Sequence, residues 1–169
     1  MINLIQQVEA VSIHSKDASD KHGEVFTPTA LIEKMCDAAF PKEFWSDPSK
    51  TFVDFCAGNG NMQAVIVTRL MSGLGSIIPD EKERYRHIME KQVYMAEYQT
   101  TSALNIERIF NPTRELHLNL YVGDSLRIPK DFWDLPFEKR IRRYPQHYVF
   151  GGIKPGKMQA GQAFARPLF

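Results

Sequence analysis

Thr51-Phe52-Val53-Asp54-Phe55-Cys56-Ala57-Gly58-Asn59-Gly60-Asn61 decides the fold of this chain. Its first five residues are β-branched or aromatic apart from Asp54, a composition that favours an extended strand. The run then breaks into a turn holding two glycines. From there Met62, Val65, Ile66, Arg69 and Leu70 recur at helical spacing as far as Gly73. A strand, a glycine turn and a helix N-terminus in that order make a nucleotide-binding corner. Glycine lets the backbone approach a ligand, and an acid just before the turn can accept from a ligand's cationic or hydroxyl groups.

Working outward, Thr27-Pro28 reads as the N-cap and first position of an earlier helix. Leu31, Ile32, Met35, Ala38 and Ala39 form its apolar face, and Pro41 ends it. Residues 1–22 read as a short helix and a loop. Asp80 can cap an extra helix that is acidic at its start (Glu81, Glu83) and basic later (His87, Lys91), as the helix dipole prefers. Val93–Glu97 is a second strand, and 101–110 a second crossover helix stopped by Pro112. Leu116, Leu118, Leu120 and Val122 alternate with His117, Asn119 and Tyr121, which predicts an edge strand with one wet face. Residues 131–143 read as a charged, partly helical connection, and His147–Phe150 as a fourth strand. Strands alternating with helices imply right-handed crossovers and a parallel sheet. The expected fold class is α/β: a partial Rossmann-like sheet of about four parallel strands, order 3-2-1-4, with flanking helices. An unpaired fourth strand would invite association.

The 169 residues suit a single domain with its own core. No apolar run reaches the roughly 18 residues that span a membrane, and the N-terminus lacks a secretory pattern, so a cytoplasmic protein is expected. The two cysteines, Cys36 and Cys56, belong to no ligand-spaced cluster and read as buried free thiols, and the five histidines are scattered. No metal site is expected. Net charge is +1, yet from Glu138 onward seven basic residues face one acid. Three readings stand open for Lys139, Arg140, Arg142, Arg143, Lys154 and Lys157: a track for a nucleic-acid backbone, a merely solvated basic segment, or a patch that docks on an acidic partner.

Over residues 22–126 the pattern resembles the γ-class N6-adenine DNA methyltransferases, the restriction-modification type that uses S-adenosylmethionine (AdoMet). Gly23-Glu24-Val25-Phe26-Thr27-Pro28 is similar to that family's first motif. Asp54 to Gly60 matches its Asp-Pro-x-x-Gly-x-Gly loop in length, with Phe55 in place of Pro. Glu97 sits where the family places its ribose-binding acid, and Gly123-Asp124-Ser125-Leu126 where an acid meets the adenine. Singly, each motif reads more readily as a turn or strand end; their order at predicted element boundaries carries the likeness. The resemblance implies AdoMet contacts from Phe26, Thr27, Pro28, Asp54, Ala57, Gly58, Gly60, Glu97, Tyr98 and Asp124. A dinucleotide fingerprint fits less well, because Gln63 stands where the third glycine belongs.

The family's catalytic Asn/Asp/Ser-Pro-Pro-aromatic tetrapeptide is missing. Tyr148-Val149-Phe150-Gly151-Gly152-Ile153-Lys154-Pro155 occupies its place. The resemblance also implies further strands and a target-recognition domain that 169 residues do not accommodate. The expectation is therefore one domain over 1–169, with a cofactor-binding half at 22–126 and a degenerate catalytic region with a basic tail at 127–169. Such a domain would need a partner subunit or a second copy to methylate DNA adenine. The alternative is a silent regulator or decoy that engages DNA or a partner protein.

Overall fold

A computed structural model describes residues 3–14 and 27–148. The elements run α1 (Leu4–His14), α2 (Thr29–Ala39), β1 (Phe52–Asp54), α3 (Asn61–Gly73), α4 (Glu81–His87), β2 (Val93–Glu97), α5 (Thr100–Phe110), β3 (Asn119–Val122) and α6 (Phe137–Arg143). Ile88–Gln92 continues α4 as a widened turn of π-helix. The sheet is parallel, in the order β1-β2-β3. Among the described residues no helix is long and apolar enough to cross a membrane.

Both crossovers step the same way across the sheet, so right-handed connections put α3 and α5 on the same face. Phe52, Val93, Met95, Leu120 and Val122 point to that face, beneath helices α1 to α5. There Ile66, Leu70, Ile106 and Phe110 complete the main core. The opposite face is covered by the chain that follows β3: Phe132, Ile141 and Tyr148 pack on Ala96 and Tyr121.

That covering layer overturns the wet face expected for β3. The strand is an edge of the sheet, but all four of its residues are buried. Asn119 faces the second layer instead of water. Its amide donates to Glu90 O (2.9 Å) and Val93 O (3.3 Å), and its Oδ1 accepts from both Arg140 amino groups at 3.1 and 3.2 Å. Asn119 is tolerated in this buried layer because its amide is satisfied internally.

The other departures are local. Helix α2 starts one residue later than expected, with Pro28 as its cap, and it buries Ile32 and Cys36 while Leu31 and Met35 stay exposed. The reason is that α2 meets α3 along the Ile32–Cys36 line, one turn apart on a single face. His147, expected to open a fourth strand, closes a 3₁₀ turn over Pro145–His147 and stacks on Tyr121 with ring centroids 4.4 Å apart. Tyr148 follows in an extended conformation and is buried, and the remainder of that expected strand, 149–150, lies outside the described residues. Asp80 caps α4 as expected, accepting from Glu83 N at 2.8 Å.

One carboxyl couples this core to pH. Glu107, on α5, accepts from Asn111 Nδ2 at 3.2 Å, and Asn111 pairs with both backbone groups of Leu116. Burial raises Glu107 from 4.5 to about 7, against the opposing pull of the Asn111 hydrogen bond and of Arg114. Folded chains therefore hold a proton that unfolded chains release, and stability falls as pH rises from about 4.5 to about 7. Urea midpoints measured across that window should decline in the wild type and decline less in Glu107→Gln. Equal slopes would remove Glu107 from the account.

Candidate ligand cleft

The strands end together, and a cleft of about 740 Å³ opens at their C-terminal edge. Parallel α/β sheets characteristically bind ligands there, and this volume lies within the range of small-molecule sites. Each strand delivers one carboxylate to the cleft: Asp54 from β1, Glu97 from β2 and Asp124 just after β3. With neighbouring strands about 4.8 Å apart, the three acids line up over roughly 10 Å.

The β1 turn is shaped by its glycines and by Glu97. Gly58 and Gly60 adopt φ of 55° and 95°, conformations that L side chains rarely take. A Cβ on Gly60 would lie 2.6 Å from the Phe110 ring, whereas one on Gly58 would meet nothing within 4 Å. Gly60 thus serves packing, and Gly58 leaves the cleft wall bare. Glu97 is 6% exposed. Its Oε2 accepts from Gly58 N at 2.7 Å and its Oε1 from Gln99 N at 2.6 Å. Asp124 accepts from Leu126 N at 3.0 Å and pairs with Arg127 Nε at 3.3 Å. Among the described residues no group of three or more His, Cys, Asp or Glu could hold a metal ion.

Of the residues singled out by sequence, Thr27, Asp54, Ala57, Gly58, Glu97, Tyr98 and Asp124 line the cleft together. Pro28, which caps α2, and Gly60, which packs on Phe110, do not line the cleft. Phe26 lies outside the described residues. Cys56, expected to be buried, is exposed and lines the cleft, because the turn carries it out of the sheet; Cys36 is buried, and burial raises its thiol. Sequence reasoning passed over Phe55, Asn59, Asn61 and Met62 as cleft residues. Their signal was their place in the glycine turn itself.

The basic segment divides. Lys139, Arg142 and Arg143 are exposed, with Arg143 paired to Asp131 at 2.8 Å. Arg140 is 5% exposed and corrects the expectation of a backbone contact. Its guanidinium lies 5.5 Å from the Phe132 ring centre and bonds Asn119. Through Asn119 it meets carbonyls at the end of the α4 helical segment, where a positive charge is favoured. Lys154 and Lys157 lie outside the described residues.

Over 87 residues, 50% of this chain, the sequence is 38% identical to an "Uncharacterized adenine-specific methylase" of Mycoplasma pneumoniae. The match covers 21% of that relative, so the chain spans about a fifth of its length. No family model matches the chain, and no solved structure matches it. The fold is α/β with a cleft at the strand ends, and the sequence is related to an adenine-specific methylase.

The two glycines carry a direct test of this geometry. Gly60→Ala should lose about 2 kcal/mol in urea denaturation, from backbone strain and the Phe110 contact. Gly58→Ala should lose less, since only its backbone is strained. A larger loss at Gly58 would contradict the packing described here.

Proposed function

We propose that the cleft binds AdoMet or S-adenosylhomocysteine, and that the protein serves methylation of DNA adenine with its base pocket completed by a partner subunit. The observation that carries this reading is the row of three carboxylates at the ends of three adjacent strands. AdoMet presents three sets of donors in a matching order: an ammonium, a ribose diol and an adenine amino group. Asp54 would accept from the ammonium, Glu97 from the two hydroxyls and Asp124 from the amino group. The bare backbone at Gly58 fits a ligand lying close along the turn. Thr27, at the start of α2, would meet the methionine carboxylate, and Tyr98, 75% exposed at the rim, offers a ring to the adenine or the sulfonium. When bound, AdoMet supplies an electrophilic methyl group. The chain's own residues orient it and hold it against the sheet edge.

The similarity to a protein described as an adenine-specific methylase supports adenine as the acceptor. A second reading is favoured by one sequence fact: none of the ten prolines adjoins another, so no Pro-Pro-aromatic motif is present. In that reading the domain is a silent module that engages DNA or a methyltransferase through its exposed basic residues.

Calorimetric titration with AdoMet and S-adenosylhomocysteine tests the shared pocket. We expect micromolar binding, about 8 kcal/mol, lost in Glu97→Ala and weakened in Asp124→Asn. No binding by the wild type would overturn both the pocket and its proposed cofactor. Given binding, N6-methyladenine formed in DNA on adding a partner subunit supports the enzyme. Salt-sensitive DNA association with no methylated product, across all partners tried, supports the silent module.

A further inference from the structure

Gln63 stands behind the cleft, on the face of α3 that packs on the sheet. It is fully buried, and its Nε2 donates to Asp54 Oδ2 at 2.8 Å. The amide's orientation follows from its partner, since a carboxylate accepts only donors. Gln63 Oε1 is thereby turned away, buried with no hydrogen-bond partner among the described residues. A side chain of the same shape without polar atoms would fill this space and leave no orphaned oxygen. Packing therefore gives no reason for an amide here. Among the described residues its side-chain polar contact is Asp54.

Asp54 is held from two sides. Cys56 N–H donates to Oδ1 at 2.9 Å, and Gln63 occupies Oδ2. The Cys56 bond is local and belongs to the turn itself. The Gln63 bond comes from a different element and fixes the rotation of the carboxylate group. Held this way, Asp54 lines the cleft with lone pairs on both oxygens still open.

We propose that Gln63 is a positioning residue for the amino-acid end of the ligand, acting through Asp54 to aim its carboxylate at the ligand's ammonium. The assignment rests on the AdoMet reading above. It gives the residue found in place of a third glycine a task that a glycine could not perform.

Two ligands separate this role from a structural one. S-adenosylhomocysteine carries the ammonium, while 5′-methylthioadenosine keeps the adenine, ribose and sulfur but lacks the amino-acid group. In Gln63→Met of the 169-residue chain, affinity for S-adenosylhomocysteine should fall about tenfold. Affinity for 5′-methylthioadenosine should stay within twofold of wild type, and the melting temperature should hold or rise. Gln63→Leu, of different shape, gives the same readout should Met prove poorly accommodated. Equal losses for both ligands would mean a structural role, and no loss for either would mean no role; each overturns the assignment. Wild type that binds neither ligand would instead remove the AdoMet reading, and this inference would go with it.

Discussion

Each oxygen of the Glu97 carboxylate holds a backbone N–H from a different turn, Gly58 at 2.7 Å and Gln99 at 2.6 Å. Both are short, charge-assisted bonds made by a side chain that is almost fully buried. They tie the end of β1 to the end of β2, and the Glu97 carbonyl extends the tie to β3 by accepting from Gly123 N at 2.8 Å. Together with the Ala57 N–Ala96 O bond at 3.0 Å and the strand pairing itself, this residue links all three strand ends. The cleft follows from that registration, because its walls are the three turns so held.

A second constraint is topological. Since both crossovers step in one direction, one face of the sheet receives every helix from α1 to α5, and the other depends on chain beyond β3. That later chain covers β3 and much of β2. Trp133 reaches Tyr94 and Phe55, with ring centroids 5.6 and 6.2 Å away. Toward β1 the cover thins, and Val53 and Phe55 remain 44% and 50% exposed. The second layer is also where Arg140 is held, between Phe132, Phe137 and Asn119. Its neighbours along α6, Lys139, Arg142 and Arg143, carry the same charge at the surface. A run of like charges in sequence has thus been divided between a core and an exterior.

The relation to an adenine-specific methylase bears on half of this chain and on a fifth of the relative. The site itself offers three carboxylates at adjacent strand ends, the feature on which the proposed cofactor rests. No Pro-Pro-aromatic motif occurs in these 169 residues.

Much of the architecture was legible in the sequence. The strand–glycine–helix corner, the second strand at 93–97 and the Asp80 cap are local patterns, set by propensity, turn chemistry and capping within a few residues, and they appear as read. The acids at strand ends were legible for the same reason, since each lies at a boundary that local patterning marks. What tertiary structure alone decided are the matters settled by distant partners. Asn119 and Tyr121 looked solvent-facing until residues 132–148 packed over them, and Arg140 looked like a surface cation until Asn119 and two rings enclosed it. Gln63 read as a departure from a glycine pattern, and only the packing of α3 beneath β1 brings its amide to Asp54. A side chain's period along the chain fixes which face it joins, but what covers that face depends on where the rest of the chain folds back.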